Sequence, residues 1–336
     1  MQTIRSALEP PLMGRAFRPP AGLSNHHAQS ILASFPLRKR WIARNAAALT
    51  AEAVPHILTS ALGVRLLGFF SPAPARRRGL AVLLHGWEGS ADSHYLLSTA
   101  VVLNGAGFDI FRLNFRDHGD THHLNRGLFH SCRIDEVVDA VRGVRAHYPD
   151  GPLHLVGYSL GGNFALRVAV RAANAGFELQ KVVAICPVLR PHSTMEALET
   201  GLWAYRRYYL NKWRRSLAKK EALFPETYQL GDLRRLPTLT ATTAFFVDRY
   251  TELPDLDSYL EGYALTGTLL SDLSVPARII ASADDPIIPV ADLRDLYGNE
   301  RLEVTVTARG GHCAFLADYR LGSWVDREIL RELLRD

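Results

Sequence analysis

The chain has 336 residues, of which 47% are hydrophobic and 22% are charged, and its formal net charge is +5. This is the composition of an ordinary globular protein, and so modest a charge gives no argument for nucleic-acid binding. The length allows either one large domain or a core with an insertion.

Cysteine usage and the N-terminus bear on the compartment. The three cysteines, Cys132, Cys186 and Cys313, follow no metal-binding or disulfide spacing, so we expect a reducing, cytoplasmic environment. Residues 1–20 lack the continuous apolar stretch of a secretory signal. No run of about 18 apolar residues occurs, which predicts that no helix spans a membrane.

An N-terminal extension, residues 1–50, comes first and contains a helical segment at Trp41–Leu49. After it, apolar strands alternate with segments of helical periodicity, which predicts a mainly parallel sheet with helices on both faces. The predicted strands are Val54–Thr59, Val64–Phe70, Leu80–Leu84, Asp109–Leu113, Leu153–Val156, Lys181–Ile185, Ala277–Ala281 and Leu302–Thr307. The predicted helices are Ser93–Asn104, Ile134–His147, Leu160–Ala175, Val290–Tyr297 and Tyr319–Leu334.

One long interval interrupts this alternation. Residues 191–272 are rich in aromatic and basic side chains and contain no clear buried strand. Because they lie between two core strands, we predict an inserted helical cap, with residues 51–190 and 273–336 forming the core. Caps of this kind exclude water and shape a substrate pocket.

The sequence Gly-Tyr-Ser-Leu-Gly at 157–161 stands between a predicted strand and a predicted helix. G-x-S-x-G in this position is typical of a nucleophile elbow, a tight turn that needs small flanking residues. It exposes the serine Oγ at a helix N-terminus, where partial positive charge stabilises a developing anion. Ser159 is therefore the candidate nucleophile. The alternative is a serine that begins a helix and has glycines nearby by chance.

A nucleophilic serine needs a base, and the base needs an orienting acid. Asp284 and Asp285 follow the strand Ala277–Ala281, and His312 follows the last predicted strand. Both positions lie at the carboxyl ends of strands, where ligands bind in open α/β sheets. The order serine, aspartate, histidine is the one expected after such an elbow. We assign His312 as the base and Asp285 as the acid, with Asp284 as the alternative.

Two backbone N–H groups are needed to hold the oxyanion of an attacked ester. One is expected from Leu160, which follows the serine. The other is expected from the loop His-Gly-Trp-Glu-Gly-Ser at 85–90, in which Trp87 is the predicted donor. The indole of Trp87 is also placed to wall the pocket. The alternative for this side chain is that it merely packs under the cap.

A histidine-rich loop follows the strand Asp109–Leu113. Its spacing matches none of the usual metal-binding patterns, so we expect no metal and interpret it as a solvated loop at the rim of the site. A Ser-His-Asp mechanism requires no organic cofactor either. The residues concerned are Asp117, His118, Asp120, His122, His123 and His130.

These motifs together resemble the YheT-like esterases, a family of the α/β-hydrolase superfamily. The resemblance runs from about residue 17 to 320. It implies an α/β-hydrolase fold and an esterase, lipid hydrolase or acyltransferase. The chain departs from the family pattern at residues 117–119 and at Cys313 and Ala314, beside the base. The segments that carry the resemblance are 17–20, 25–30, 85–90, 114–116, 157–163 and 310–312.

Aromatic and basic residues alternate over residues 202–215 of the predicted cap, which include Arg206, Arg207, Arg214 and Arg215. We favour a helix whose aromatic side chains face the core and whose arginines face water. The alternatives are peripheral contact with a membrane surface and, less favoured, binding of an acidic partner or nucleic acid.

The sequence as a whole predicts a serine carboxylic-ester hydrolase that acts through an acyl-enzyme on a small-molecule ester with a medium or long acyl chain. Acyl transfer to an alcohol on the same site is one alternative. The other is a non-catalytic binding module on a hydrolase scaffold, because a fold does not guarantee an activity.

Overall fold

The computed structural model describes residues 2–3, 17–74 and 77–335. Part of the predicted N-terminal extension, residues 1 and 4–16, therefore lies outside the described residues. The strands are β1 (Gln2–Thr3), β2 (Val54–Thr59), β3 (Arg65–Ser71), β4 (Gly79–Leu84), β5 (Phe108–Leu113), β6 (Leu153–Tyr158), β7 (Lys181–Ile185), β8 (Gly267–Leu270), β9 (Ala277–Ser282), β10 (Leu296–Gly298) and β11 (Leu302–Thr307).

Eight of these strands form the central sheet, in the order β11-β9-β7-β6-β4-β5-β3-β2. Neighbouring strands are parallel from β11 to β5, and β3 is antiparallel to both β5 and β2. Parallel neighbours require long crossover connections, which helices provide. The predicted mainly parallel sheet is confirmed.

Helices cover both faces of this sheet. They are α1 (His26–Leu32), α2 (Pro36–Asn45), α3 (Ala47–Ala51), α4 (His94–Gly105), α5 (Ile134–His147), α6 (Leu160–Arg171), α7 (Pro191–Thr200), α8 (Trp203–Leu223), α9 (Leu239–Tyr250), α10 (Leu256–Glu261) and α11 (Trp324–Leu334). Alternate side chains of a strand point to opposite faces. In β4, Val82 and Leu84 pack with α5 and α6, whereas Ala81 and Leu83 pack with α4 and α11.

The described part of the N-terminal extension packs on the core. Phe17 joins the apolar cluster beneath α4 and α11, and Ile42 of α2 packs against Leu97 of α4. The helix predicted at Trp41–Leu49 is replaced by the two shorter helices α2 and α3.

Two further elements differ from the sequence-based predictions. The helix predicted at Val290–Tyr297 is a 3-10 helix, Val290–Asp295, followed by β10. The apolar spacing of Val290, Leu293 and Leu296 is three residues, which suits a 3-10 turn as well as an α-helix. The last helix begins at Trp324 rather than Tyr319, because Leu321 has a φ of 61°, outside the helical region.

The interval between β7 and β8 contains α7, α8, α9 and α10. Their apolar side chains, among them Leu217, Phe246 and Leu260, form a separate buried cluster. The short strand β8 follows them within the predicted cap, residues 191–272, and pairs with β10 in a small sheet whose third strand is β1. Its four residues are too few for a clear apolar run. Within the described ranges, no helix has both the length and the apolarity needed to cross a bilayer.

Candidate active site

Ser159 lies at the turn between β6 and α6, with φ 53° and ψ −118°. This is a sparsely populated region for a residue with a side chain, and such strain is maintained only where the surroundings fix it. The Ser159 N–H donates to the carbonyl oxygen of Ile185 at 2.8 Å. The serine carbonyl accepts the N–H of Asn163 at 3.0 Å. Both the backbone N–H and the backbone carbonyl of Ser159 are thus hydrogen-bonded, which fixes the conformation of the turn.

The two glycines beside Ser159 are required by close contacts. A Cβ atom on Gly157 would lie 2.1 Å from the carbonyl oxygen of Gly161. A Cβ atom on Gly161 would lie 2.4 Å from the carbonyl oxygens of Leu84 and His85. Any side chain at either position would therefore displace the backbone of the elbow or of the loop after β4.

The structure brings Ser159, His312 and Asp285 together. The His312 Nε2 atom lies 3.1 Å from the Ser159 Oγ, and its Nδ1 atom lies 2.9 Å from the Asp285 Oδ2. The other carboxylate oxygen of Asp285 accepts the N–H groups of Ile287 and Ile288 at 2.8 and 3.0 Å. This arrangement places a proton on Nδ1 and turns the lone pair of Nε2 toward the serine.

Burial and neighbouring charges shift the pKa of His312 in opposite directions. Its side chain is 9% exposed and that of Asp285 is 2% exposed. Burial lowers the pKa of His312, but the negative charges of the Asp285 carboxylate and the neighbouring Cys313 thiolate raise it well above 6.5. The carboxylate therefore strongly stabilises a protonated imidazole, the form that a base reaches after taking a proton.

The N-terminal segment braces the loop that carries His312. The Ser30 Oγ accepts the backbone N–H of His312 at 2.9 Å, and it donates to the carbonyl of His26 at 2.8 Å. Gln29 is completely buried, and its side-chain oxygen accepts the N–H of Leu316 at 2.7 Å. Asn25 caps α1 by accepting two N–H groups. The sequence analysis noted this segment only because it resembles the family pattern. The structure shows that its side chains hold the loop that carries His312.

The N–H groups of Trp87 and Leu160 were the predicted oxyanion donors. Leu160 is the first residue of α6, where backbone N–H groups lack a partner within the helix. In the described chain, neither of these N–H groups has a backbone or side-chain acceptor. Both residues line the cavity that Ser159 also lines. Two free donors therefore lie beside the nucleophile.

Side chains that sequence reasoning missed hold the loop around Trp87. The backbone N–H of Glu88 donates to the Nε2 of His118 at 3.1 Å, and the backbone carbonyl of Glu88 accepts from the Lys212 ammonium group at 2.6 Å. The Tyr95 hydroxyl accepts the N–H of Gly86 at 2.8 Å. Burial lowers the pKa of His118 to about 4, so its imidazole is neutral and able to accept. The contacts of Glu88 with His118 and Lys212 join parts of the chain that are distant in sequence, and no local sequence signal indicates them.

The prediction of a solvated histidine-rich loop at the rim of the site is only partly right. Asp120 and His123 are exposed, but Asp117, His118 and His122 are buried, because α8 lies across them. Lys220 of α8 is fully buried and donates to the Asp117 carboxylate at 2.7 Å. Its ammonium group also donates to three backbone carbonyls of residues 122–127. The loop is thus an anchoring point between α8 and the core.

Cys313 adds a thiol beside the candidate base. Its Sγ lies 3.7 Å from the His312 Nε2, and the ligand atoms of Cys186, His312 and Cys313 all lie within 4.8 Å of one another. Burial alone would raise the pKa of Cys313, but Cys186 and His312 lower it to about 6. These three side chains could hold a soft metal ion only by taking the His312 Nε2 from Ser159, which would block the site.

Two cavities meet at Ser159. The first has a volume of about 100 Å³ and is lined mainly by apolar side chains of α7, α8 and α9 together with Trp87. The Trp87 indole stacks on the Tyr209 ring, with a distance of 5.4 Å between the ring centres, and forms one wall of this apolar pocket. The second is an open groove of about 800 Å³ between α1–α2, the loop at 86–95 and α8. His312 lines the groove and does not line the apolar pocket.

The chain is similar to two curated bacterial proteins. It is 25% identical over 273 residues to "Putative esterase YheT" of Escherichia coli, which covers 77% of each chain. It is 24% identical over 329 residues to "Putative esterase slr0264" of Synechocystis sp., which covers 90% of this chain and 88% of that protein. The resemblance to the YheT-like esterases is thereby confirmed.

Solved structures agree on the fold. The esterase Pf2001 of Pyrococcus furiosus is 17% identical and superimposes with a TM-score of 0.56, over 86% of this chain and 92% of that one. A serine hydrolase from Cycloclasticus zankles gives the same TM-score at 14% identity, over 84% and 100% of the two chains. The family profile described as "alpha/beta hydrolase fold" matches residues 81–319. The chain belongs to the α/β-hydrolase fold family.

Proposed function

We propose that this protein is a serine carboxylic-ester hydrolase in which Ser159, His312 and Asp285 form the catalytic triad. One observation carries the proposal: a single imidazole contacts both the Ser159 Oγ and the Asp285 carboxylate, next to two N–H groups that have no acceptor among the described residues. Relatives named as esterases support the same chemistry.

The geometry supports a two-step reaction. The Ser159 Oγ attacks the ester carbonyl while the His312 Nε2 takes its proton, and the Trp87 and Leu160 N–H groups stabilise the oxyanion. The tetrahedral intermediate then collapses. His312 gives the proton to the leaving alcohol oxygen, and the acyl group stays on Ser159. Water repeats the sequence as the nucleophile, releasing the carboxylic acid and the free serine.

The apolar pocket supports an apolar acyl chain. Its walls include Met195, Leu198 and Phe246, which belong to the helices of the proposed cap, residues 191–272. Its volume of about 100 Å³ is small beside the roughly 300–1,000 Å³ of sites for drug-sized ligands. A medium or long chain, which we propose as the substrate, therefore requires the cap helices to move apart.

Turnover of p-nitrophenyl esters of graded acyl length tests these proposals. We expect hydrolysis that Ser159→Ala abolishes and a rate that rises from acetyl to medium chains. Adding short alcohols distinguishes hydrolysis from acyl transfer, since transfer yields a new ester in place of the acid. A rate that falls steadily beyond acetyl would reject the medium- or long-chain proposal and leave the esterase assignment standing.

We also propose that the exposed start of α8 contacts membrane surfaces. Tyr209 and Trp213 of α8 pack against the core as expected, but Trp203 is 62% exposed and Tyr208 is 49% exposed, next to the exposed Arg207. Two of the four arginines are engaged within the protein: Arg206 pairs with Glu199, and Arg214 donates to the Leu236 carbonyl. Sedimentation with anionic vesicles tests this, and equal binding by wild type and Trp203→Ala would reject it.

A further inference from the structure

The position of His312 determines where the alcohol part of the substrate lies. In the proposed mechanism, His312 protonates the leaving oxygen, so the alcohol must depart on the side of Ser159 that His312 faces. His312 lines the groove and not the apolar pocket. The acyl chain therefore occupies the apolar pocket, and the alcohol occupies the groove.

The groove has an excess of positive charge. Three of its carboxylates already have cationic partners: Asp92 pairs with Arg112, Asp117 with Lys220 and Asp120 with Lys219. Arg38 of α2 also lines the groove, but it is buried and its guanidinium donates to the carbonyls of Ala33 and Leu321. The remaining cations are Lys39 of α2 and Lys212 and Arg215 of α8. None of these three forms an ion pair with the described residues.

The three cations are also free to bind a ligand. The Lys39 and Arg215 side chains donate to no acceptor within the described ranges. The Lys212 ammonium group donates to the Glu88 carbonyl at 2.6 Å, which leaves two of its three protons available. Lys212 and Arg215 are three residues apart on one helix face, and Lys39 lies on another wall of the groove.

The positive charge of the groove affects the pKa values of two titratable groups, His94 and Glu88. His94 also lines the groove, and its pKa is lowered to about 4, first by burial and then by Lys39, Arg38 and Lys212. Glu88 is the groove carboxyl that has no ion-pair partner among the described residues. Burial raises its pKa to about 7, against the effect of Lys212, so it is partly protonated at neutral pH. The groove therefore has little negative charge that would offset the charges of Lys39, Lys212 and Arg215.

We infer that the protein acts on esters whose alcohol carries an anionic group, with a phosphomonoester as the best match, held in the groove by Lys39, Lys212 and Arg215. This inference rests on the proposed esterase function and specifies its substrate class. A phosphate offers nearly two negative charges and several acceptor oxygens, which suit both an arginine fork and lysine ammonium groups.

A matched pair of substrates tests the inference. Both 1-hexanoyl-glycerol and 1-hexanoyl-glycerol 3-phosphate carry the same acyl group, and they differ only in the phosphate. We expect the wild-type kcat/KM to favour the phosphate ester by about tenfold at low salt. Lys39→Gln and Arg215→Gln should each reduce the ratio of the two kcat/KM values by about threefold, as expected for partly exposed charge pairs. The ratio is independent of the amount of folded enzyme.

Arg40→Gln is the matched control, because Arg40 is exposed on the same helix as Lys39 but does not line the groove. Its ratio should equal that of the wild type. The thioesters hexanoyl-coenzyme A and hexanoyl-pantetheine give a second pair, in which the leaving group is a thiol in place of an alcohol. A preference for the coenzyme A thioester identifies the phosphates of a nucleotide carrier as the source of the anion.

The outcomes distinguish a failure of this inference from a failure of the proposed esterase function. Hydrolysis of the neutral ester without preference in either pair overturns the inference and leaves the esterase assignment intact. An equal loss of preference in Arg40→Gln and Lys39→Gln also overturns it, since general surface charge would then explain the effect. Failure of the wild type to hydrolyse any of these esters or a p-nitrophenyl ester instead refutes the proposed function.

Discussion

Asp284 and Asp285 are neighbours in the chain, but their carboxylates bind different partners. Asp285 contacts the His312 Nδ1 at 2.9 Å, whereas Asp284 accepts the N–H of Gly311 at 2.9 Å and the hydroxyl of Ser282. One carboxylate orients the imidazole, and the other holds the backbone of the loop that carries it.

This division predicts different effects of two isosteric substitutions. Asp285→Asn should lower kcat by about 10⁴, because the amide no longer selects the correct tautomer of the imidazole. Asp284→Asn keeps an acceptor for the Gly311 N–H and should cost much less. Steady-state kinetics on p-nitrophenyl butyrate measures both, and a larger loss for Asp284→Asn would contradict the assignment.

The pH dependence of activity should reflect the raised pKa of His312. The imidazole must be neutral to act as a base, so a raised pKa moves the loss of activity to higher pH. We expect kcat/KM to fall on acidification with an inflection above the ordinary value of about 6.5. Residual activity of Asp285→Asn should show a lower inflection. An inflection below 6 in the wild type would show that Asp285 does not act on the base as described.

The bond between Ser30 and the His312 N–H should contribute to the rate. Ser30→Ala leaves this N–H without its acceptor, at a cost of about 1–3 kcal/mol if the loop stays in place. Relaxation of the loop would misplace His312, so we expect kcat to fall about tenfold or more with little change in KM. Ser24→Ala is the control, because the Ser24 side chain is exposed and makes no hydrogen bond to the described residues. Equal activity of the two variants would show that α1 does not position the base.

The buried ion pair between Lys220 and Asp117 should stabilise the attachment of α8. Lys220→Met leaves a buried, unpaired carboxylate and should lower the free energy of unfolding by about 3–5 kcal/mol. Lys219→Met removes the adjacent, exposed pair with Asp120 and should cost less than about 1 kcal/mol. Denaturant titration compares the two variants, and a similar small effect of both would mean that Lys220 does not anchor the helix.

Local sequence signals accounted for much of the fold. The bounds of β2, β7, β11 and α5 match their predictions at both ends, because each is a clear apolar or amphipathic run between turn residues. The candidate nucleophile, acid and base were predicted in the same way, from short motifs at the ends of predicted strands, and the structure brings the three side chains together. The α/β-hydrolase fold then explains why such distant positions meet.

Contacts between distant segments were not predictable. Ser30 and His312 are 282 residues apart, and Lys220 is buried only because the folded loop at 117–127 surrounds it. A lysine on a helix normally faces water, and nothing in the local sequence indicates otherwise. The histidine-rich loop was misinterpreted for the same reason, since its burial depends on a helix about 100 residues further along the chain.

Trapping of the covalent intermediate tests the central claim most directly. The enzyme is labelled with a fluorophosphonate and, separately, quenched during turnover of a p-nitrophenyl ester, and the modified residue is identified by peptide mass spectrometry. Cys313 is the competing nucleophile, since its thiol also lies near the His312 Nε2. We predict that both adducts form on Ser159, that Ser159→Ala forms neither and has no activity, and that Cys313→Ala still forms both. Acylation of Cys313, or undiminished turnover by Ser159→Ala, would contradict the account.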